Sequence, residues 1–390
     1  MTPQNTFLEG DNLEVLARLA AERARFDLAY LDPPYNTRSD LVYDDAVGRG
    51  RGRHQAWTAA LRPRLEAVLA LLEPTGALAL SIDDHEVAHL RLLLDEVVGE
   101  QNLLAQVVVN LNPKGRQLGR GFATSHEYLL VYAVDAASCV LDASTADTVD
   151  ERDFGHTDEA SGRRFRLLPL RNTNKRFTPA SAPTLHYALH GDPASGRVAT
   201  TPFAGSEEIT PVFGDGQAAV WRWSPPLVAE RGEDDLVCRR VRGHRGERVD
   251  VYQRDWLHEG RRKKLTTLWL AEEVGSTDTA VAELKDLVGH VFSSPKPTGL
   301  LRRLLGTMPA DARVLDPFAG SGTTGHAVAL LNAEDGGTRT STSIDRAAPL
   351  RTDSPAGRTA LAAGHATVAD VTRARLRAVD ARLGGGLVCG

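Results

Sequence analysis

The segment that most constrains how this chain can fold is RVLDPFAGSGTTG, Arg313 to Gly325. Four residues suited to a buried strand end in a carboxylate, Asp316, and Pro317 stops the strand. Gly320, Gly322 and Gly325 then fall in G-x-G-x-x-G spacing, and a helical pattern opens at Thr323. Strand, glycine-rich turn and helix in succession make half of a β-α-β unit, which belongs in an α/β fold with a mainly parallel sheet. Glycines in such a turn let the backbone approach a nucleotide ligand at the carboxyl edge of the sheet. The fit to a dinucleotide turn is imperfect, because the first glycine lies four residues beyond Asp316. No lysine precedes Thr323, so the turn is not a phosphate-cradling P-loop. Asp345 is the candidate acid for a ribose hydroxyl, ahead of Asp335 and Glu334, and a plain strand-to-helix turn stays open as the alternative.

A second strand-ending motif lies far upstream. FDLAYL (26–31) is a short apolar run, and Asp32-Pro33-Pro34-Tyr35 follows it directly. Two prolines in a row end the strand and fix the backbone. They hold a carboxylate, a carbonyl and an aromatic ring at a sheet's carboxyl edge, where open α/β folds bind ligands. An aspartate oxygen and a proline carbonyl can each accept a hydrogen from an exocyclic amine, and Tyr35 can stack on the ring that carries it. The alternative is a turn with a packed tyrosine.

Around these motifs the texture divides the chain in three. Residues 1–140 alternate strand-like runs (77–82, 103–110, 127–134) with helical patterns (57–74, 85–99). Residues 141–264 are rich in Gly, Pro and Arg and read as short strands and loops without a long periodic helix. From 265 to 390 the α/β texture returns, with a last helix at 371–383 and a frayed end at GGGLVCG. No apolar stretch is long enough for a membrane helix. Three widely spaced cysteines in 390 residues exclude a disulfide framework and suit a reducing cytoplasm. With 46 basic and 51 acidic residues the net charge is −5, which on its face argues against nucleic acid.

DPPYNT (32–37) followed by VLDPFAGSGTTGHAV (314–328) resembles the amino-group DNA methyltransferases of the circularly permuted β class. Segments 81–102, 125–133, 267–287, 291–305 and 331–337 resemble the modification subunits of type III restriction systems. The resemblance implies a Rossmann-like methyltransferase sheet, split by an inserted target-recognition region at 141–264. It implies S-adenosylmethionine as methyl donor and adenine N6 in double-stranded DNA as acceptor. Cytosine N4 and an inactive DNA-binding relic of the fold stay open, as do a restriction subunit and a second copy of the chain as partners. Asp32, Pro33, Pro34 and Tyr35 take the catalytic positions. Phe318, Gly320 and Gly322 line the cofactor site; Lys296, Pro297 and Thr323 lie near its methionine end, and Asp316 orients the loop or touches the ligand.

Three features sit less easily. His85-Glu86-Val87-Ala88-His89 fits H-E-x-x-H, but with no third ligand in place it is read as a helix start and no metal is expected. Between Leu236 and Leu265 ten basic residues face four acidic ones. Arg239, Arg240, Arg242, Arg245, Arg261, Arg262, Lys263 and Lys264 are the phosphate-binding candidates there, with a solvated charged face as the alternative. Finally, TRTSTSIDRAAP (338–349) is too polar to predict a buried strand, which weakens Asp345 as a ribose ligand.

Overall fold

Strand Phe26–Leu31 is buried along almost its whole length, the pattern of a strand covered on both faces. The computed structural model describes residues 4–37, 52–115, 121–144, 147–148, 151–243, 246–258, 262–384 and 386–390. It separates into two units, Met1–Asp147 with Lys263–Gly390, and Thr148–Arg262.

The first unit is built on a nine-stranded sheet. Its strands are β1 (Gln4–Glu9), β2 (Phe26–Leu31), β3 (Leu72–Ile82), β4 (Leu103–Val109), β5 (Glu127–Ala133), β6 (Leu268–Trp269), β7 (Arg313–Asp316), β8 (Thr340–Asp345) and β9 (Gly386–Cys389). The order across the sheet is β6-β4-β5-β3-β2-β7-β8-β1-β9. All pairs are parallel except those of β5 with β3 and β4. Alternation along β2 sends Ala29 and Leu31 into one core, with Leu16, Trp57, Leu65 and Leu90, and Leu28 and Tyr30 into another, with Leu300, Leu304 and Val328. From β2 the chain continues on one side, to β3; from β7 it continues on the other, to β8. The β2/β7 boundary is therefore a topological switch point, where the connections part and leave a crevice at the strands' carboxyl ends.

Three sequence expectations are corrected. The helix expected at 57–74 is Arg53–Leu69 and runs through Pro63; Pro74 lies in β3. It falls where the β2/β3 register shifts, between Phe26 pairing with Leu72 and Leu28 with Ala77, and an irregularity tolerates a missing donor. The polar run after Gly337 is strand β8, between β7 and β1, with Ser341, Ser343 and Ile344 buried. Ser341 Oγ donates to Asn5 Oδ1 at 2.8 Å, so its hydroxyl is satisfied inside the fold. The tail is not frayed: β9 pairs with β1, Gln4 with Gly386 through Phe7 with Cys389. The edge strand offers a row of open backbone groups and the tail takes them up.

The second unit has a four-stranded antiparallel sheet in the order Leu236–Gly243, Gly246–Trp256, Arg164–Pro169, His156–Thr157. A three-stranded sheet of Val198–Ala199, Leu189–Gly191 and Glu207–Ile209 and a helix, Pro225–Asp235, complete it. Short strands and loops understate this unit, since the hairpin at 236–256 pairs strands of 8 and 11 residues. Trp221 and Trp223 are core residues packed with Leu189, Val228 and Val251. Among the described residues no helix is long and apolar enough to cross a membrane.

Candidate active site

At the carboxyl ends of β2, β7 and β8 a cavity of about 260 Å³ opens in the first unit. Asp32, Pro33 and Pro34 form one wall, and Asp316, Phe318, Gly320 and Thr323 another, with Lys296 and Asp345 also lining it. The two motifs lie 284 positions apart, Asp32 to Asp316, and meet because their strands are sheet neighbours.

The DPPY wall is held from three directions. The Pro34 carbonyl accepts a 2.6 Å hydrogen bond from Trp57 Nε1. Asn36 adopts a left-handed φ of 59° and donates through Nδ2 to Glu86 Oε1 at 2.8 Å. Lys296 Nζ lies 3.1 Å from Asp32 Oδ1, 3.3 Å from Glu127 Oε2 and 4.7 Å from the centroid of the Tyr35 ring. The Tyr35 hydroxyl donates to Glu127 Oε2 at 3.2 Å. Burial pushes the Asp32 carboxyl above its ordinary pKa, with the Lys296 charge opposing. Burial would also strip Lys296 of its proton, but the Asp32 and Glu127 carboxylates outweigh it and hold the ammonium above its ordinary value.

The glycine-rich turn is fixed by its own side chains. Asp316 accepts from the Phe318 N–H at 3.0 Å and from Thr324 Oγ1 at 2.5 Å. Gly322 takes φ +77° at the helix N-cap, a conformation other residues adopt only with strain. Asp345 accepts from the Gly320 N–H at 2.7 Å, and the Gly320 carbonyl accepts from Thr372 Oγ1 at 2.6 Å. Burial raises Asp316 and Asp345 each to about 7. Beneath the turn, Arg375 is fully buried and donates to Thr323 Oγ1 at 2.8 Å and Ser321 Oγ at 3.1 Å. Its Nη2 lies 3.1 Å from His326 Nδ1. Burial draws Arg375 down to about 10, and burial together with the Arg375 charge draws His326 down to about 3, so a neutral imidazole faces the guanidinium.

A family model for N6 and N4 methyltransferases, described as DNA methylase, matches residues 26–345 and takes in both motifs. The chain belongs to the DNA methylase family. S-adenosylmethionine is the cofactor of these enzymes. This DNA methylase is 32% identical to the type II methyltransferase M.KpnI of Klebsiella pneumoniae, over 95% of its own length and 86% of that protein's. It is 31% identical to the EcoPI Mod subunit, a type III restriction-modification protein of Escherichia phage P1, over 96% of its own length and 62% of the subunit's. It thus spans less than two thirds of that Mod subunit. Among solved structures, the cytosine-N4-specific PvuII DNA methyltransferase aligns with a TM-score of 0.43 at 12% identity, covering 99% of this chain and 97% of that one.

Not every expected residue of the DNA methylase reaches the cavity wall. Tyr35 sits behind Lys296, Pro297 caps the helix Thr298–Leu305, and Gly322 packs toward Thr372; none is among the lining residues. Lys296 was expected near the methionine end of the cofactor, yet its ammonium turns to Asp32. Other lining residues went unnoticed in the sequence. Asp11 and Asn12 follow β1 after Gly10, and Asn12 donates to the Pro317 carbonyl at 3.2 Å while accepting from Arg64 at 2.8 Å. The signal was a Gly-Asp-Asn turn after an apolar run. Glu127, which begins β5 and meets Lys296 and Tyr35 without lining the cavity, gave no signal, since a carboxylate at a strand start reads as a solvated end.

In the second unit, Arg239, Arg240 and Arg242 are exposed on the strand Leu236–Gly243. Arg240 is paired with Glu207, Arg239 lies opposite Asp250 and Arg242 opposite Glu247. Successive side chains alternate faces, so these arginines do not form a single stripe. Lys264, assigned to the first unit, is exposed. Arg245 and Arg261, and the side chains of Arg262 and Lys263, lie outside the described residues.

Proposed function

We propose that this DNA methylase moves a methyl group from S-adenosylmethionine to the exocyclic N6 of adenine at a specific site in double-stranded DNA. The observation that carries the reading is the partly buried Asp32–Lys296–Glu127 cluster, in which Asp32, directly after the strand β2 that adjoins β7, and Lys296 line the cavity. The acceptor nitrogen is a poor nucleophile because its lone pair is delocalised into the base. Asp32 and the Pro33 carbonyl accept its two hydrogens, which disfavours delocalisation and aims the lone pair. When bound, the cofactor supplies a methyl on a cationic sulfonium. As the nitrogen–carbon bond forms and the sulfur–carbon bond breaks, Asp32 takes up the proton that the nitrogen sheds. Lys296 opposes the rise that burial imposes on the Asp32 carboxyl and so favours its ionised, accepting form. The base must leave the duplex to reach the wall; Tyr35 lies outside the lining with Lys296 at its ring, so it stacks on the base only once that contact gives way.

The cavity suits the donor. Phe318 gives an aromatic face, Asp345 a carboxylate for ribose hydroxyls at the end of β8, and Asp316 orients the loop between them. Gly320 brings backbone close to the ligand, Thr323 serves the methionine end, and Gly322 sets the turn, while Lys296 holds Asp32 and Pro297 caps the helix behind the wall. We assign target recognition to residues 141–264, with Arg239, Arg242 and Lys264 toward phosphates. The identity to a Mod subunit supports a restriction-modification setting in the cytoplasm, with a restriction subunit or a second copy as partner.

Transfer of labelled methyl from S-adenosylmethionine to DNA tests the reading. Asp32→Ala should lower transfer at least 100-fold while cofactor affinity holds within about threefold; equal transfer by the variant would defeat the assignment. Modification-sensitive sequencing of DNA from cells carrying the gene separates adenine N6 from cytosine N4. The latter stays a second reading because the matching family model spans both.

A further inference from the structure

We propose that His54, Glu86 and His89 form a binding site for one divalent transition-metal ion of the zinc class. The three come from two elements: His54 from the first turn of the helix Arg53–Leu69, and Glu86 and His89 from the N-cap and first turn of the helix Val87–Leu94. One ligand atom from each falls within 4.8 Å of the others. His54 Nδ1 lies 2.8 Å from Glu86 Oε1 and His89 Nδ1 3.2 Å from Glu86 Oε2. The two imidazole rings are stacked, 4.2 Å between centroids and 11° from parallel, so both present the same edge to the carboxylate.

The buried polar atoms point to a ligand. The Glu86 side chain is fully buried. Its Oε2 and the His89 Nδ1 face each other at 3.2 Å, yet both are buried without a hydrogen bond. Leaving such atoms unsatisfied in the interior is costly. A cation between them satisfies both at once. Ligand atoms bound at about 2.0–2.1 Å in a tetrahedron stand roughly 3.3 Å apart; the His89–Glu86 spacing of 3.2 Å matches this, and the 2.8 Å between His54 and Glu86 would widen on binding. Two imidazoles and a carboxylate suit zinc over magnesium or calcium, which take oxygen ligands. Asn36, which donates to Glu86 Oε1, supplies the outer hydrogen bond that orients a ligating carboxylate.

This is not the site that H-E-x-x-H suggested. His85 turns away and bonds Asp83, Nδ1 to Oδ2 at 2.9 Å. His54, 32 positions before Glu86, takes the place that spacing gave to His85. Water completes the tetrahedron. The ion ties the helix 53–69, the start of the helix 87–94 and, through Asn36, the loop after Asp32. The inference does not depend on the methyl-transfer reading.

The full-length protein, stripped with a chelator, is titrated with Co²⁺ and read by its visible absorption, then challenged with Zn²⁺. One equivalent should bind with tetrahedral bands and be displaced by Zn²⁺. His54→Asn and His89→Asn should each weaken binding by at least roughly tenfold, and His85→Asn should leave it unchanged. The His89 side chain is 43% exposed, so its loss should spare the fold; circular dichroism checks this. Added Zn²⁺ should raise the Tm of the wild type and of His85→Asn but not of the ligand variants. Absence of stoichiometric binding, undiminished binding in His89→Asn, or loss in His85→Asn would overturn the proposal.

Discussion

Asp345 is bonded to the glycine-rich turn, and the proposed ribose contact would compete for the same carboxylate. It accepts the Gly320 N–H, which fixes the glycine-rich turn, and it lines the cavity, where a ribose would use its remaining lone pairs. Burial has raised it to about 7 against an unfolded value near 3.9. The folded free protein therefore holds a proton that the unfolded chain releases, and this residue favours folding more as pH falls from 7 toward 4. Cofactor binding that draws on the carboxylate must expel that proton. Affinity for S-adenosylmethionine should weaken as pH drops below about 7, by at most tenfold per unit for this one group. Calorimetry between pH 5.5 and 8 checks this, and Asp345→Asn should flatten the slope. Asp316, raised equally, leaves a residual slope in that variant. Asp32, the aspartate proposed to be catalytic, differs because a cation meets it: Lys296 lies at 3.1 Å, and among the described residues neither Asp316 nor Asp345 has a comparable ion pair with an ammonium.

Among the elements, the helix Val368–Leu383 does most to hold the glycine-rich turn in shape. Thr372 bonds the Gly320 carbonyl, Arg375 bonds Ser321 and Thr323, and Leu376 packs where the helix Thr323–Asp335 has Gly325. A methyl at Gly325 would meet Leu376 Cδ2 at 2.5 Å and Ser341 Oγ at 3.2 Å. Gly325→Ala gains up to about 1 kcal/mol in helix propensity but pays about 1–3 kcal/mol in overpacking. We expect a net loss of ~1 kcal/mol, read by urea denaturation. Elements with a local signature were legible: β2, β3 and β7 as apolar runs, and the turn at 320–325 from its glycines. Others were hidden because their stability comes from partners. β8 is polar and exists because Asn5 and two neighbouring strands accept it; β9 reads as a loose tail until β1 offers an edge. The cavity's motif residues could be named, but the Lys296–Glu127 and His54–Glu86 encounters bridge segments far apart in sequence, and no spacing rule reaches them.

At the scale of the whole molecule, the first unit depends on joining its early and late segments. The junction is clamped at the end opposite the cavity. Arg313 bonds Asp27 through its backbone N–H, Nε and Nη2 at 2.8, 3.0 and 2.9 Å, and reaches Glu73 at 2.9 Å. Burial works to raise Asp27, but the hydrogen bonds and charge of Arg313 win and hold it below its ordinary value. A carboxyl lowered on folding lends stability above its unfolded pKa and loses it as pH falls further. Asp27→Asn should cost ~1 kcal/mol at neutral pH, an amount tempered by the solvent around Arg313, and the difference from wild type should fade below about pH 4. Thermal melting across that range checks it.

The same junction sets an order of events during synthesis. Asp27 and Arg313 are 286 positions apart, so the central pair of the sheet cannot close until most of the chain has left the ribosome. Until then β2 has β3 on one side and a bare hydrophobic edge on the other, the kind of surface that invites pairing with a foreign strand. The second unit, Thr148–Arg262, is complete well before β7 emerges and has its own core around Trp221. Its folding while the ribosome still works shortens the loose chain that must be closed, at a stage when the early half waits for its partner.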